Sequence, residues 1–211
     1  MKPRFLRILV TAGPTREFLD PIRYLSNRSS GKMGYALAEA ARAVSSRVVL
    51  VSGPTALTAP AGVEFVPVTT AQEMAEAVWE RFARTDVVIM AAAVCDFRPK
   101  SCASGKIKKA TFAGRIEVVS TVDILAELGR RKTGQVLVGF AAETGHLERN
   151  ARAKLRKKQL DLIVANDARA FAADTNQVVL IGRDGRRERL PELPKREVAA
   201  VVLRRAVALV P

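Results

Sequence analysis

Hydroxyl, glycine and lysine residues stand immediately before a segment with helical periodicity, a combination that suits anion binding. The run Ser29-Ser30-Gly31-Lys32 precedes apolar residues that recur at helical spacing from Met33 to Val44. Free amides and hydroxyls at a helix N-terminus bind phosphates, although a capping role for either serine fits the same pattern. The complete G-x-x-x-x-G-K-[ST] pattern of a P-loop is absent. The run therefore predicts a site for a phosphate-bearing ligand without identifying that ligand.

A glycine turn follows the first apolar run of the chain. Ile8 to Val10 is typical of a buried strand, and Gly13-Pro14-Thr15-Arg16-Glu17 comes shortly after it. Dinucleotide-binding sheets carry a glycine-rich turn in this place, but this one lacks the G-x-G-x-x-G spacing. The spacing weighs against a nicotinamide-dependent oxidoreductase. About twenty polar residues without periodicity then lead to the first helix, and we expect a long functional loop there.

Two lysines share the inward face of a later predicted helix. With residues placed at intervals of about 100°, Leu147, Ala151, Lys154 and Lys158 fall in one narrow sector of a helix over residues 147–158, and the neighbouring arginines point away. Such lysines either cover apolar surface with their stems while their ammonium groups reach water, or line a pocket for phosphate. The residues alone leave both interpretations open.

Small and polar residues follow a strongly apolar strand in the middle of the chain. Asp86 to Ala93 is nearly continuous in apolar residues, as expected of a central parallel strand, and its end carries Ala91-Ala92-Ala93-Val94-Cys95-Asp96. Ligands of open α/β sheets bind beyond the carboxyl ends of strands. Small residues there would let a ligand approach the backbone. Asn166-Asp167 ends another apolar strand in the same way.

These groups require a scaffold of alternating strands and helices. We predict strands over residues 8–10, 47–52, 64–68, 86–93, 115–119, 136–142, 160–165, 177–181 and 188–190. We predict helices over about 33–44, 70–84, 122–131, 147–158 and 194–210, the second of them opened by a capping box at Thr70 and Glu73. The fold class is α/β, a Rossmann-like, mostly parallel sheet flanked by helices with a small β-hairpin or flap addition. We expect one domain over residues 1–211.

Composition excludes several classes of function. The 211 residues are 48% hydrophobic and 27% charged, and no apolar run is long enough to cross a membrane. Without a signal-peptide pattern, the expected location is cytoplasmic. The chain has two cysteines, Cys95 and Cys102, which suggest neither a disulfide framework nor a zinc site. Because His146 is the single histidine of the sequence, a Ser-His-Asp or Cys-His mechanism is not expected. A net charge of +14 would attract nucleic acid, an acidic partner or a polyphosphate ligand.

Several long strings of residues, in their order and spacing, resemble bacterial phosphopantothenoylcysteine synthetase, the ligase of coenzyme A biosynthesis. The strings are GPTREFLDPIRYLSNRSSGKMGYALAEAA, AAAVCDFRP, GKIKK, VGFAAET and LDLIVAND, and the resemblance covers about Ile8 to Ile181. In many bacteria this synthetase is the C-terminal half of a fusion with a flavin-dependent decarboxylase. The resemblance therefore implies a free-standing version or an excised domain, with no FMN in this chain and a separate decarboxylase acting next in the pathway.

A reaction in two steps follows from this resemblance. The carboxylate of 4'-phosphopantothenate attacks the α-phosphate of CTP and expels pyrophosphate, and the amine of L-cysteine then displaces CMP from the acyl-cytidylate. The resemblance also implies Mg²⁺ or Mn²⁺ on the triphosphate, ATP as the alternative nucleotide, and a homodimer with the site near the subunit interface. No protein nucleophile is needed, which agrees with a basic chain that holds one histidine.

The resemblance also gives roles to individual residues. Asn27 and Lys106 would be catalytic, because they hold the acyl-nucleotide intermediate and neutralise its phosphate. Arg23, Asn27, Ala92 and Ala93 would bind the phosphopantothenate side. With the anion-binding pattern included, the predicted nucleotide site consists of Gly13, Ser29, Ser30, Ala92, Asp96, Lys106, Val122, Asp123, Ile124, Leu125, Phe140, Lys154 and Lys158. Asp96 is also the one candidate metal ligand.

The chain departs from the family's pattern in places. The helix opening usually reads Asn-Pro-Asp-Ile, whereas Thr121-Val122-Asp123-Ile124 lacks the proline that pre-sets the first turn. This difference leaves the choice of CTP over ATP open. Cys95 stands where alanine is usual, and the flap after Lys109 is short and lacks acidic residues.

A basic nucleic-acid-binding module is the competing hypothesis. The high positive charge favours it. Such modules stack bases on aromatic side chains, however, and aromatic residues make up only 5% of this chain. The ligase is therefore the preferred interpretation.

Overall fold

An eight-stranded β-sheet runs through the centre of the protein and carries helices on both faces. The computed structural model describes residues 6–45, 47–112, 114–167 and 173–211. The strands are β1 (Arg7–Ala12), β2 (Arg16–Phe18), β3 (Tyr24–Ser26), β4 (Arg47–Ser52), β5 (Glu64–Pro67), β6 (Val87–Met90), β7 (Phe97–Pro99), β8 (Val118–Ser120), β9 (Val136–Glu143), β10 (Leu162–Asp167), β11 (Thr175–Asn176), β12 (Val178–Gly182), β13 (Arg187–Arg189) and β14 (Leu193–Pro194). The helices are α1 (Lys32–Arg42), α2 (Ala71–Phe82), α3 (Ile124–Arg131), α4 (Leu147–Lys157) and α5 (Lys195–Val207), and Lys109–Thr111 forms a 3-10 turn.

The strand order of the main sheet is β13-β12-β10-β9-β6-β1-β4-β5. The six neighbouring strands β10, β9, β6, β1, β4 and β5 are all parallel to one another. Strand β12 pairs antiparallel with both β10 and β13. In the central register, Val10 of β1 lies beside Leu50 on one side and Ile89 on the other. The predicted Rossmann-like, mostly parallel α/β architecture is confirmed.

Alternating residues of the strands feed two apolar cores, one on each face of the sheet. Ile8 and Val10 pack into the core beneath α1 and α5, and Leu9 between them packs into the core beneath α2, α3 and α4. All three side chains are fully buried or nearly so. Strands buried on both faces are continuous in apolar residues, so the central strands could be recognised in the sequence.

The chain changes direction across the sheet at β1, and this creates the crevice where a ligand can bind. From β1 the chain passes through α1 to β4 on one side, whereas β6 lies on the other side. The connections leaving the carboxyl ends of β1 and β6 therefore diverge. In doubly wound sheets such a switch point opens a crevice beyond the carboxyl ends of the strands.

Several predicted boundaries differ from the structure for local reasons. The central strand β6 ends at Met90 rather than at residue 93, because Ala93 leaves the sheet to form a bridge with Pro14. Helix α3 begins at Ile124 rather than at residue 122, because the Asp123 side chain accepts a hydrogen bond from the Ala126 amide and caps it. The capping box that opens α2 is confirmed, with both reciprocal hydrogen bonds formed.

The prediction that the segment between β1 and α1 has no regular secondary structure is wrong, because this segment contains the antiparallel hairpin of β2 and β3. Arg16 pairs with Ser26 and Phe18 with Tyr24, whose rings meet edge to face at 5.9 Å between centroids. The Arg16 guanidinium lies 4.6 Å from the centre of the Tyr24 ring. Three-residue strands are too short to show a period of two, so the polar composition concealed them.

A second small antiparallel ribbon, formed by β7 and β8, was predicted only in part. The strand predicted over residues 115–119 is instead β8 at Val118–Ser120. It pairs with β7, which the sequence did not reveal, so that Phe97 lies opposite Ser120. Among the described residues, no helix has the length and hydrophobicity needed to cross a bilayer.

Gly34 lets α1 lie against β1 at the crevice, and its substitution provides a first test of the fold. A Cβ atom at this position would lie 2.5 Å from the Ala12 Cβ and 2.9 Å from the Thr11 carbonyl oxygen. We expect Gly34→Ala to lower the free energy of unfolding by about 1–3 kcal/mol, because this overpacking must push α1 away from the sheet.

Chemical denaturation measures this loss. The matched control is Gly134→Ala, since nothing lies within 4 Å of a Cβ at Gly134. That variant should stay within about 0.5 kcal/mol of the parent. Equal stabilities of the two variants would contradict the tight contact between α1 and β1.

Candidate active site

A cavity of about 660 Å³ lies in the crevice beyond the carboxyl ends of β1, β6, β9 and β10. Its volume is in the range of small-molecule sites. The predicted site residues that line it are Asn27, Ser29, Ser30, Ala92, Ala93, Asp96, Val122, Asp123, Ile124, Leu125, Phe140, Lys154 and Lys158. Gly13, Arg23 and Lys106 are the predicted residues that do not line it.

Asn27 follows the β2–β3 hairpin and joins it to the segment after β6. Its side-chain amide donates to the carbonyl oxygens of Ala93 at 3.1 Å and Val94 at 3.0 Å. The Asn27 side chain is exposed and lines the cavity. An amide can donate to these carbonyls and still offer its own oxygen to a substrate without titrating.

Two buried threonines hold the segment after β6 in place. The Ala92 amide donates to the Thr11 hydroxyl at 3.1 Å, and the Cys95 amide donates to the Thr15 hydroxyl at 2.9 Å. Both threonines are fully buried. They were missed in the sequence because an isolated threonine in or after a strand carries no signal of a distant partner. Burial raises the pKa of the Cys95 thiol, which keeps it protonated and unsuited to act as a nucleophile.

Lys154 lies on α4 and Lys158 is its C-cap residue, and both line the cavity, which is one of the two interpretations that the helical spacing left open. The Lys154 ammonium donates to the Phe140 carbonyl at 2.7 Å, and the Lys158 ammonium donates to the Asp123 carboxylate at 2.9 Å. Burial, together with the neighbouring Lys158, lowers the pKa of Lys154. Burial alone would raise the pKa of Asp123, but hydrogen bonds from Lys158 and the Ala126 amide lower it overall. Lys154, Lys158 and Phe140 thus form one wall of the cavity, and the two lysines give this wall positive charge.

The first turn of α1 offers free backbone donors to the cavity. Gly31 is the N-cap, with a left-handed φ of 78°, and it makes no side-chain capping hydrogen bond. The N-cap residue is therefore Gly31 and neither Ser29 nor Ser30. Ser29 accepts a hydrogen bond from the Gly31 amide at 3.3 Å, and the first turn of α1 contains no acidic residue. An uncapped helix N-terminus of this kind favours an anion.

Gly13 lies behind the cavity wall. A Cβ there would lie 2.7 Å from the Gly53 carbonyl oxygen, and its φ of 73° is left-handed. Its carbonyl accepts from the Ala93 amide at 2.9 Å. The close approach of the turn at Gly53 therefore requires a glycine at position 13. Gly13 itself does not line the cavity.

Arg23 and Lys106 do not line the cavity. The buried carboxylate of Asp20 connects Arg23 to Ile107, the residue that follows Lys106. Asp20 accepts from the Arg23 Nε at 2.9 Å and from the Ile107 amide at 3.2 Å, and Arg23 donates to the Ile107 carbonyl at 2.8 Å. Arg23 holds the pKa of Asp20 well below its usual range. These contacts fix the loop that carries the exposed Lys106. Asp20 was missed, because an aspartate before Pro21 looks like an ordinary turn residue.

Carboxylates around the cavity are too few to form a metal site on their own. Among residues 6–45, 47–112, 114–167 and 173–211, no group of three or more histidine, cysteine, aspartate or glutamate side chains could hold a metal ion. Asp96 is exposed and lines the cavity. Mg²⁺ is commonly held by one or two carboxylates together with substrate phosphates and waters. This donor set fits an ion that arrives with a nucleotide.

Of the lining residues that were absent from the predicted site, four carry a lysine or asparagine side chain: Lys32, Asn166, Asn176 and Lys195. Asn166 could have been found, since it ends a strand in the manner expected of a ligand-binding residue. Lys195 opens α5 and is 7% exposed. Nothing in its local sequence distinguishes it from the many surface lysines.

The sequence matches the family described as the DNA/pantothenate metabolism flavoprotein C-terminal domain over residues 4–209. It is 50% identical, over 96% of its length, to the coenzyme A biosynthesis bifunctional protein CoaBC of Bacillus subtilis. The matched region is 51% of that protein, so the chain spans only about half the length of this relative.

Solved structures share the fold closely. The C-terminal domain of a coenzyme A biosynthesis bifunctional protein CoaBC has a TM-score of 0.83 at 48% identity, with 95% of this chain and 93% of that domain covered. A Cab2 mutant in complex with phosphopantothenate-cysteine has a TM-score of 0.81 over 98% of this chain and 88% of its own. Its identity is 18%, so it shows likeness of fold alone.

Proposed function

The chain belongs to the family of the DNA/pantothenate metabolism flavoprotein C-terminal domain, and from this premise we propose that it is the phosphopantothenate–cysteine ligase of coenzyme A biosynthesis. One observation carries the proposal. A single cavity joins Asn27 and residues 91–93, the alanine segment, to Lys154, Lys158 and the N-terminus of α1, which has no side-chain cap. Such a cavity provides a place for an acyl group beside a place for a nucleotide.

The similar proteins support the same substrate. The Bacillus subtilis relative is named for coenzyme A biosynthesis, and the Cab2 structure of the same fold is described as a complex with phosphopantothenate-cysteine. Phosphopantothenate-cysteine is the product expected of the proposed reaction. CTP, 4'-phosphopantothenate and L-cysteine are the substrates we propose.

In the first step, the nucleotide activates the acid. A carboxylate oxygen of 4'-phosphopantothenate bonds to the α-phosphorus of CTP, and the bond from that phosphorus to the bridging oxygen breaks, so that pyrophosphate leaves. We place the base and the α-phosphate of the nucleotide against Phe140, Lys154 and Lys158, where fixed positive charge meets the α-phosphate without reorganisation. No side chain forms a covalent bond in this step.

In the second step, the cysteine amine attacks the acyl carbon and CMP leaves. Asn27 is placed to orient the acyl-cytidylate, because its amide already joins the hairpin to the Ala93 and Val94 carbonyls. The attacking amine must lose a proton, and the departing CMP phosphate is the acceptor we propose. Lys106 would approach the intermediate from the loop that Asp20 and Arg23 hold.

A divalent ion, Mg²⁺ or Mn²⁺, would neutralise charge on the triphosphate when it is bound, and Asp96 is the residue that would hold it together with the nucleotide phosphates. Asp96 lies at the carboxyl end of the segment that the buried threonines fix. No FMN is proposed for this chain.

Pyrophosphate release tests the function. We expect release only when CTP, 4'-phosphopantothenate and a divalent metal are all present, and amide formation only when L-cysteine is added. The same assay with ATP tests the alternative nucleotide, which the missing proline at Val122 leaves open. Absence of turnover with every nucleotide would refute the ligase. Salt-dependent DNA or RNA binding without turnover would instead favour the nucleic-acid-binding module.

Lys154→Met is expected to weaken CTP binding about 10- to 100-fold, because charge-assisted hydrogen bonds to phosphate would be lost. Burial and Lys158 lower the pKa of Lys154, whereas Asp96, Glu143 and Asp123 act to raise it. The cation is therefore lost as the pH rises through this lowered pKa. The parent's affinity should decline at a lower pH than an ordinary lysine, whose pKa is about 10.4, would produce.

Calorimetric titration of CTP from neutral to alkaline pH measures both effects. The control is Arg156→Met, which removes one exposed charge from the same helix and should bind CTP like the parent. An unchanged affinity of Lys154→Met would remove this lysine from the nucleotide site.

We further propose that one domain carries the activity, in the cytoplasm and as a homodimer, and that its product passes to a decarboxylase. Exposed apolar side chains beside the cavity support the dimer, since Ile22 is 60% exposed and Phe97 is 57% exposed. Phe97 lies on β7 and lines the cavity, and Ile22 lies in the turn between β2 and β3. Light scattering of the purified protein tests the oligomeric state.

A further inference from the structure

The cavity wall formed by the starts of α1 and α5 carries a second cluster of polar groups, made up of Lys32, Asn176 and Lys195. The pairing of β11 with β14 places Asn176 opposite Leu193, two residues before Lys195. The Lys195 amide donates to the Asp174 carbonyl at 3.0 Å, which fixes the start of α5 against the same ribbon. These tertiary contacts therefore fix the backbone positions of Asn176 and Lys195 relative to each other.

Asn176 indicates that this wall binds a ligand. It is 4% exposed, it lines the cavity, and within the described part of the chain its buried side-chain oxygen has no hydrogen-bond partner. Buried polar groups are nearly always paired, and an exception in a cavity wall calls for an explanation. The oxygen and nitrogen of such an amide can exchange places by rotation, so it can meet either a donor or an acceptor.

The electrostatics of the cluster favour an anion. Lys195 is almost fully buried, and both burial and the nearby Lys32 lower its pKa. Asp174 is the carboxylate that faces them, and it bonds to the Lys32 ammonium at 2.5 Å. The uncapped first turn of α1 adds its amides to the same wall.

The proposed reaction leaves one anionic part of the nucleotide unplaced. The base and α-phosphate are assigned to the wall of Phe140, Lys154 and Lys158, and the acyl group to Asn27 and the alanine segment. The remaining part is the β,γ-diphosphate, which carries most of the charge and departs when the α–β bridging bond breaks.

We propose that Lys195 and Lys32, with Asn176 and the first turn of α1, bind the β- and γ-phosphates of the nucleotide and hold pyrophosphate as it leaves. This inference rests on the proposed ligase function. The lysines act by charge and hydrogen bonding. The electrons of the broken bond pass to the oxygen that joined the α- and β-phosphates, which becomes a terminal oxygen of pyrophosphate, so no proton needs to move.

Calorimetric titration with inorganic pyrophosphate, CMP and 4'-phosphopantothenate tests the assignment. Lys195→Met should weaken pyrophosphate binding about 10- to 100-fold and leave CMP binding within about twofold, because CMP lacks the outer phosphates. Lys32→Met should weaken pyrophosphate binding in the same direction. The control Arg196→Met removes an exposed charge from the same end of α5 and should bind pyrophosphate like the parent.

Each outcome decides the inference. Thermal unfolding shows whether Lys195→Met is folded, and if it is not, Lys32→Met carries the test. Unchanged pyrophosphate affinity in the folded variants, or no pyrophosphate binding by the parent, overturns the proposal. Weaker binding of 4'-phosphopantothenate with unchanged pyrophosphate binding would assign the cluster to the acid's phosphate and also overturn it. Pyrophosphate binding that depends on Lys195, in a protein without turnover, would refute the ligase but retain the site.

Discussion

Asn27→Asp is expected to lower ligase turnover by about 100-fold or more, a loss comparable to that of one oriented donor in an active site. The parent amide donates to two carbonyl oxygens, those of Ala93 and Val94. A carboxylate in its place would set a negative charge against both oxygens with no proton to share. The segment that should hold the acyl group would therefore move, and the added charge would repel the acyl-cytidylate.

Rapid-quench measurements separate the two half-reactions. The acyl-cytidylate should form slowly or persist, while the Kd for CTP changes little, because the nucleotide wall lies on α4. Asn27→Ala is the matched control for charge, since it removes the donor without adding a negative group. We expect its loss of turnover to be smaller. Parent-like kinetics in both variants would show that Asn27 has no part in the reaction.

Lys106→Gln is the second variant with a large expected effect, a loss of turnover of about 100-fold with an unchanged fold. Lys106 is exposed and lies outside the cavity lining. Its position depends on Ile107, whose amide and carbonyl are both held, by Asp20 and Arg23. Asp20→Asn should therefore also lower turnover, by releasing the loop while keeping the lysine.

Thermal unfolding and kcat together distinguish the two effects. Lys106→Gln should melt like the parent, whereas Asp20→Asn should melt at a lower temperature. Arg23 lowers the pKa of Asp20, so its carboxylate stabilises the fold above the unfolded pKa of about 3.9, and this contribution disappears as the pH falls through the lower folded value. The difference between Asp20→Asn and the parent should therefore shrink only in strong acid. Lys109→Gln, in the same basic run, should retain full turnover.

The sheet and its helices could be predicted because burial imposes a period on the sequence. Strands such as β9 and β10 are covered on both faces, and their apolar runs show this directly. Lys154 and Lys158 were placed correctly for the same reason, since helical geometry fixes which residues share a face. The β2–β3 hairpin was not predicted, because its strands are too short to carry any period.

Residues that act through distant partners could not be found in this way. The hydroxyls of Thr11 and Thr15 support a segment about eighty positions away, and the carboxylate of Asp20 anchors a loop at a similar separation. Lys195 becomes distinctive only when the fold buries it. Hydrogen bonds of this kind depend on tertiary approach, for which the local sequence has no pattern.

Packing of α1 against α5 has a consequence for how the protein is made. The cavity takes one wall from the first helix of the chain and another from the last. During synthesis β1, β4 and β6 can pair before α5 has left the ribosome, because α5 follows all three strands in the chain. Until residues 195–207 have been synthesised, the core beneath α1 therefore stays exposed to water, and the wall proposed to bind the β- and γ-phosphates is incomplete.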